Sequence, residues 1–230
     1  MENAKKNERF LEILPSLGTY RSLLCLNGTL PGSDFFSLFN LPIIAADGAY
    51  DLLQKKNITA DIIIGDCDSV KGTIGEKTKK IAIGDQSFSD FQKALKFLRE
   101  ARLLPSIVLG IGGGCMDHIL NNISILAQTD SVAYMPPTLG FGMDNSMALS
   151  LPRGTKLSLF GMPSGRISTR GLRWELENQM LYFHAHNSCF NRTLGERVTF
   201  EVHEGKIFLV IYLKNVIDEG YAAALGTVRP

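Results

Sequence analysis

The chain has 230 residues, of which 45% are hydrophobic and 20% are charged. These proportions are typical of a folded globular protein and exclude a disordered chain, which combines low hydrophobicity with high net charge. The 24 basic and 23 acidic side chains leave a net charge of +1, so there is no overall positive field to attract nucleic acid, and we expect no nucleic acid partner.

The first 135 residues alternate short apolar runs with helical patterns. Such runs, closed by Gly, Asp, Asn or Pro, are typical of strands buried on both faces of a parallel sheet. They lie at residues 22–26, 42–46, 61–64, 80–83, 107–109 and 131–134. One helix is predicted from Ser89 to about Arg102, where Ser89 and Gln92 have the spacing of a capping box, and another from near Asp117. This alternation predicts an open, doubly wound, mainly parallel α/β sheet.

After Pro136-Pro137 the helical period disappears, and strand-like runs with turn signals follow. They lie at residues 147–151, 156–160, 180–183, 197–202 and 206–213. Glu204-Gly205, between the last two runs, is predicted to form a hairpin turn. We therefore predict a boundary near residues 138–146. It separates an α/β domain at 1–140 from an all-β sandwich or barrel at 141–230.

Carboxylates follow several of the predicted strands. They are Asp47, Asp66, Asp68, Asp85, Asp90 and, after a Gly-rich turn, Asp117. The carboxyl ends of parallel strands form the ligand crevice of an open α/β sheet, so we expect these side chains to meet on one rim. Two carboxylates about 4 Å apart repel by about 4 kcal/mol at an effective dielectric constant of about 20. The cluster must therefore be protonated, hydrated or neutralised by a cation.

The segment Asp66-Cys67-Asp68 favours the cation, because alternate side chains of an extended segment project to the same side. Carboxylate oxygens with substrate phosphates and waters are the ligands that suit Mg²⁺. The alternative is that each aspartate only caps a helix or begins a loop.

A Gly-rich turn, residues 110–117, lies between a predicted strand and a predicted helix. Its backbone N–H groups are open to close approach by phosphate oxygens. Cys115 occupies the third glycine position of a dinucleotide motif, and the lysine of a Walker loop is missing. A merely tight turn therefore remains an alternative.

From about residue 45 to 211 the chain resembles the thiamine pyrophosphokinases, because it contains a series of motifs in the same order as that family. The first two, Ala46-Asp47-Gly48-Ala49 and residues 61–69, resemble the paired signature of that family. Residues 85–95 resemble its Asp-Gln-x-x-Thr-Asp-x-x-Lys segment, and residues 113–122 its Gly-Gly-Arg-x-Asp-His-x-Leu-x-Asn segment. Residues 171–176 and 187–191 are similar to its Gly-Leu-Lys-Trp stretch and Ser-x-x-Asn turn.

The resemblance implies a nucleotide- and metal-binding α/β domain and a β-sandwich for thiamine binding and dimerisation. The implied reaction transfers the pyrophosphoryl group of ATP to the hydroxyethyl oxygen of thiamine, giving thiamine diphosphate and AMP. The implied Mg²⁺ ligands are Asp66, Asp68 and Asp90, which are also catalytic with Asp117. The remaining implied site residues are Asp47 and Gln86 near the metal and phosphates, Asp117 at the substrate hydroxyl, Ser188 and Asn191 at thiamine across a homodimer interface, and Gly112, Gly113, Gly114 and Asn121 at the nucleotide.

One departure from the family pattern leaves alternatives open. Cys115 stands where the family carries an arginine, a bidentate phosphate ligand. One alternative is a non-catalytic thiamine- or nucleotide-binding protein, and the other is a Mg²⁺-dependent transferase with a different nucleotide donor. If the enzyme is active, Lys71, Lys93 or Arg192 are candidates to replace the arginine.

Two further expectations concern the rest of the chain. Trp174, the only tryptophan, is predicted to pack beneath the β domain, with stacking on a heteroaromatic ring as the alternative. The charged N-terminus has no apolar core to follow it, and no apolar run is long enough to span a bilayer. We therefore expect a cytoplasmic protein without a membrane partner.

Overall fold

A computed structural model describes residues 10–66, 70–85 and 87–213 of the chain. The chain divides into two compact units. The α/β unit comprises Gly18–Met135 with Gly140–Gly142, and the β unit comprises residues 10–17, 136–139 and 143–213.

The α/β unit contains the predicted parallel sheet. Its strands are β1 (Ser22–Cys25), β2 (Ile43–Ala46), β3 (Ile62–Gly65), β4 (Lys79–Ala82), β5 (Ser106–Leu109) and β6 (Val132–Met135). They pair in parallel in the order β6-β5-β1-β2-β3-β4. The helices between them are α1 (Ser33–Phe36), α2 (Ala49–Gln54), α3 (Asp90–Glu100) and α4 (Met116–Leu126). The predicted fold class is confirmed, because all six strands form close to their predicted positions.

Burial explains why these runs are continuous in apolar residues. Every residue of β1 and of β5 is buried, as expected for inner strands covered on both faces. At the edge of the sheet, β4 is largely exposed and carries Lys79 and Lys80. Helix α3 begins at the predicted capping box, in which the Gln92 N–H donates to Ser89 Oγ and the Ser89 N–H donates to Gln92 Oε1. Such a cap stabilises a helix by about 1 kcal/mol.

The strand order reverses between β1 and β5. From β1 the chain adds β2, β3 and β4 on one side, and it then returns to add β5 and β6 on the other side. In open α/β sheets the loops at such a reversal diverge and leave a crevice beyond the carboxyl ends of the two strands. The loops after β1 and β5 are therefore the expected walls of a ligand site.

The β unit is an antiparallel sheet built on two long strands. Its strands are β8 (Met147–Ser150), β9 (Lys156–Arg170), β10 (Gln179–Tyr182), β11 (Ser188–Arg192) and β12 (Arg197–Tyr212), while β7 (Thr138–Met143) divides its residues between the two units. The strand β9 pairs with β10, β11 and β12, and β12 also pairs with β8. The sheet does not close, so the barrel alternative is not formed.

The predicted hairpin turn at Glu204-Gly205 is wrong. These residues lie inside the continuous strand β12, between two shifts in its register with β9. Gly205 has φ +68° and lies against Ser164, where an added Cβ would be 2.5 Å from the carbonyl oxygen. Glu204 and Gly205 therefore pair with Arg166 and Gly165 of β9, which continues far beyond residue 160, and the register shifts lie on either side of this pair.

Strand β7 occupies residues 138–143, inside the range where a domain boundary is predicted. The limits 1–140 and 141–230 stay a prediction. No helix of the described residues is long and apolar enough to cross a membrane. The cytoplasmic location also stays a prediction.

Candidate functional site

A cavity of about 580 Å³ opens at the reversal point of the α/β sheet. Its walls come from the loops after β1 and β5, from the end of β2 and from the first turns of α3 and α4. The predicted site residues that line it are Asp90, Gly114, Asp117 and Asn121. Carboxylates that are distant in sequence therefore face one cavity, as the rule for parallel strands predicts.

The loops after β1 and β5 pack against each other through glycine. The Thr29 N–H donates to the Gly112 carbonyl oxygen at 2.6 Å. A Cβ on Gly28 would lie 2.3 Å from the carbonyl oxygens of both Gly110 and Gly112, so no larger residue fits there without a shift of backbone. The Gly-rich turn is therefore braced by the loop that follows the neighbouring strand.

Sequence reasoning missed several lining residues. They are Asn27, Gly28, Ser89, His118 and Asn122. Asn27 and Gly28 directly follow the predicted strand at residues 22–26, and the rule that identified the aspartates applies equally to them. What the sequence does not contain is the strand order, which places β1 beside β5.

Asp90 is the first residue of α3, and Lys93 holds it by an ion pair. The Lys93 Nζ donates to Asp90 Oδ1 at 3.1 Å, with the lysine side chain 4% exposed and the aspartate side chain 41% exposed. Lys93 was a candidate to replace the family arginine. It is instead a buried counter-ion of Asp90 and is not among the described residues that line the cavity.

Asp47 directly follows β2 and is 7% exposed. Its backbone is left-handed, with φ +44°, and its N–H donates to the Ile64 carbonyl oxygen at 2.7 Å. The buried Oδ1 atom has no hydrogen-bond partner among the described residues. A strained aspartate with an unsatisfied buried oxygen is typical of a ligand-binding position rather than of a stabilising one.

Asp66 directly follows β3, the strand beside β2, so it lies at the same sheet edge as Asp47. Asp68 and Gln86, which were predicted with it, lie outside the described residues. Within the described part of the chain, no group of three or more His, Cys, Asp or Glu side chains is arranged to hold a metal. The donors that are present fit Mg²⁺ in their chemistry, since Asp47, Asp66 and Asp90 offer only carboxylate oxygens.

The first turn of α4 places Cys115, Asp117 and His118 at the cavity. Cys115 is the N-cap residue but makes no side-chain capping hydrogen bond. Asp117 Oδ1 accepts the N–H of His118 at 2.9 Å. Gly112 and Gly113 belong to the same turn, although Gly110, Ile111 and Gly114 form the wall itself. No lysine or arginine is among the described residues that line the cavity. Lys71 and Arg192, the other candidates to replace the family arginine, therefore do not line it.

Elsewhere in the α/β unit, two ionisable groups illustrate what the local environment does to charge. Burial raises the pKa of the Cys25 thiol far above its usual value, so this thiol is not a nucleophile at neutral pH. The pKa of Asp85 is lowered, mainly because the Ser87 N–H donates to its carboxylate at 2.8 Å. Asp85 therefore shapes the turn before α3 as a charged acceptor.

The residues predicted to contact thiamine lie in the β unit. Asn191, in β11, is completely buried and bonds to Trp174 and to Ser188. The prediction that Trp174 packs in the interior is wrong, because this residue is 53% exposed, with the Arg173 guanidinium 4.9 Å from the ring centroid. The binding roles of Ser188 and Asn191 stay predictions.

A parallel α/β sheet with aspartates around a cavity at its reversal point is the arrangement in which open α/β proteins bind their ligands. Residues 40–135 match the family model described as thiamin pyrophosphokinase, catalytic domain. The resemblance predicted from the motifs is confirmed over these residues, which are similar to the catalytic domain of the thiamine pyrophosphokinases.

Curated proteins and solved structures agree with this family. Thiamine pyrophosphokinase 1 of Arabidopsis thaliana is 25% identical over an alignment of 225 residues. The alignment covers 81% of this chain and 84% of that protein. The thiamine pyrophosphokinase of Bacillus subtilis superposes with a TM-score of 0.70 at 17% identity, covering 84% of this chain and 98% of that one. The yeast enzyme gives a TM-score of 0.70 at 19% identity and coverages of 87% and 89%. The two structures share the fold of this chain.

Proposed function

We propose that the protein transfers the pyrophosphoryl group of ATP to thiamine, giving thiamine diphosphate and AMP. The observation that carries the proposal is the cavity at the reversal point, lined by Asp90 and Asp117 inside the matched catalytic domain. In this reaction the hydroxyethyl oxygen of thiamine forms a bond to the β-phosphorus of ATP. The bond from that phosphorus to the α,β-bridging oxygen breaks, so AMP leaves.

Asp66, Asp68 and Asp90 would hold Mg²⁺, with Asp47 close by. The metal ion supplies charge neutralisation for the phosphates, which these carboxylates would otherwise repel. Lys93 fixes one oxygen of Asp90, so that carboxylate is already oriented when nucleotide enters. Preorganised charge and position are the main contributions to phosphoryl-type transfer.

Asp117 is proposed to accept the proton of the thiamine hydroxyl and to orient that oxygen toward the β-phosphorus. It lines the cavity, and it bonds to the protein through the His118 N–H. The backbone N–H groups of Gly112, Gly113 and Gly114 and the amide of Asn121 are proposed to bind the nucleotide. The Gly-rich turn and the first turn of a helix are suited to phosphate oxygens.

Thiamine itself is proposed to meet Trp174 and Ser188 in a homodimer. An exposed indole offers a face for stacking on a heteroaromatic ring, and Tyr182, Phe183 and Phe190 of the same unit are also 40% to 49% exposed. Exposed apolar side chains of this size are typical of interaction surfaces. A homodimer with a shared site predicts a dimeric mass by light scattering, and an active monomer would refute it.

The proposal is tested by incubating the protein with thiamine, ATP and Mg²⁺ and separating the nucleotides by chromatography. AMP should accumulate, and Asp66→Asn should abolish it. Asp61→Asn is the matched control, because Asp61 precedes the same strand at its opposite end and accepts the Ile43 N–H. AMP formation at the same rate in wild type and Asp66→Asn would contradict the proposed reaction at this site.

A non-catalytic thiamine- or nucleotide-binding protein is the second candidate, and Cys115 favours it. The family arginine is missing at this position, and the described lining residues include no lysine or arginine. This candidate predicts thiamine binding in calorimetry without AMP formation. Comparing several nucleoside triphosphates in the same assay separates a transferase with another donor from both.

A further inference from the structure

Asn191 is fully buried, yet it is one of the residues that the family pattern places at thiamine. Its side-chain oxygen accepts the backbone N–H groups of Trp174, at 3.1 Å, and of Arg192, at 2.9 Å. Its side-chain nitrogen donates to the Trp174 carbonyl oxygen at 2.6 Å and to Ser188 Oγ at 3.1 Å. A side-chain amide has two donors and two acceptor sites. All four are used within the protein, so none is left for a ligand.

Asn191 is the side chain that bonds to both backbone groups of Trp174, while the backbone of β11 holds the preceding residue, since the Arg173 N–H donates to the Arg192 carbonyl oxygen at 2.8 Å. Asn191 binds the N–H and the carbonyl oxygen of Trp174, while Glu175 closes the loop on itself by accepting the N–H groups of Gly171 and Leu172. The backbone of Trp174 is thereby fixed, although its indole is 53% exposed. Because the buried amide already fixes the backbone of the exposed aromatic residue, a ligand that stacks on the indole loses less binding free energy to ordering this loop.

We propose that Asn191 is a positioning residue that acts through Trp174 and does not touch thiamine. The inference rests on the proposed function, because it takes the Trp174 indole as the surface against which thiamine binds. It assigns the Asn of the Ser-x-x-Asn turn to the support of the aromatic surface. The Ser188 hydroxyl accepts a hydrogen bond from the Asn191 side-chain nitrogen. Its own proton is still available to donate to thiamine.

The local part of the proposal is tested in the free protein. Trp174 is the only tryptophan, so the fluorescence anisotropy reports this one indole. Asn191→Ala should lower the anisotropy below that of wild type. Thr155→Val is the control, because Thr155 is also buried in the β unit and its side-chain Oγ1 donates to the Pro152 carbonyl oxygen and not to the loop of Trp174. An anisotropy in Asn191→Ala equal to that of Thr155→Val would overturn the positioning role.

The functional part is tested by steady-state kinetics. Loss of one ordered aromatic contact should raise KM for thiamine about tenfold in Asn191→Ala, while kcat and KM for ATP stay within about twofold. In a Trp174→Ala background, Asn191→Ala should cause no further increase in KM for thiamine. An unchanged KM for thiamine, or an equal effect in both backgrounds, would overturn the inference. Asn191→Asp, which keeps the acceptor and the volume, repeats the test if the alanine variant does not fold.

The two levels of proposal fail in different ways. Wild-type protein that forms no AMP from thiamine and ATP contradicts the proposed function, whereas the anisotropy comparison still decides whether Asn191 orders Trp174. Active protein in which Asn191→Ala leaves both anisotropy and KM unchanged contradicts only the inference.

Discussion

Lys93 Nζ lies 3.1 Å from Asp90 Oδ1, and the lysine is buried while the aspartate reaches the cavity. Burial removes the hydration of the ammonium group, and the Asp90 carboxylate compensates its charge. The carboxylate, in turn, is held by one oxygen and presents the rest of its surface to the site. The pair therefore connects the stability of α3 to the proposed metal-binding chemistry.

Removing one partner of this pair should cost more than removing both. Asp90→Asn leaves a buried ammonium without a counter-ion, and we expect a loss of about 2 kcal/mol in the free energy of unfolding. Asp90→Asn with Lys93→Met should recover most of that loss, because no buried charge remains. Urea unfolding measures both variants, and effects that simply add would show that the ion pair does not couple the two residues.

Gly65 should be essential where Gly84 is not. Gly65 has φ +149°, and an added Cβ would lie 3.0 Å from the Cβ of Asp47, itself strained and buried. We expect Gly65→Ala to lower the free energy of unfolding by about 1–3 kcal/mol and to displace Asp47, with loss of AMP formation. Gly84→Ala, with nothing within 4 Å of its Cβ, is the control. Equal stability and activity in the two variants would contradict this role for Gly65.

Two adjacent glycines of the Gly-rich turn should respond differently to alanine. Gly113 has φ +86°, and its Cβ would collide with Thr29, whereas Gly112 has nothing within 4 Å. Gly113→Ala should therefore lower the melting temperature. Gly112→Ala should keep it but raise KM for ATP about tenfold, because a methyl group would stand where phosphate approaches the backbone. An unchanged KM for ATP in Gly112→Ala would remove this residue from the nucleotide site.

Restoring the family arginine should strengthen nucleotide binding. Cys115 is exposed, lines the cavity and makes no capping bond that a larger side chain would break. A guanidinium there can pair with phosphate in bidentate fashion, so Cys115→Arg should lower KM for ATP about tenfold. Cys115→Met provides length without charge and should leave KM unchanged. The same decrease in both variants would show that the charge is not responsible.

The sequence predicted the α/β unit well, because most of its strands are short apolar runs that end at Gly, Asp, Asn or Pro. The helix α3 was equally visible, since its capping box and its apolar face, which includes Phe91 and Leu95, are local patterns. The pairing order of the strands was not visible. It depends on contacts between distant segments, so Asn27 and Gly28 could not be assigned to the cavity from residue types alone.

The errors share one physical cause. Glu204-Gly205 has turn composition, but both residues pair with β9, and the register shifts on either side of them. Lys93 was a candidate to replace the family arginine, but it is buried, with its charge compensated by Asp90. Trp174 has the composition of a core residue, but hydrogen bonds to Asn191, 17 residues away, hold its backbone while the indole stays exposed. In each case tertiary contacts override a local preference.

The products formed from ATP and thiamine decide whether the protein transfers a pyrophosphoryl group. With Mg²⁺ present, AMP and thiamine diphosphate should form in equal amounts, and neither product should form when ATP or thiamine is left out. ADP with thiamine monophosphate, or AMP formed at the same rate without thiamine, would contradict it.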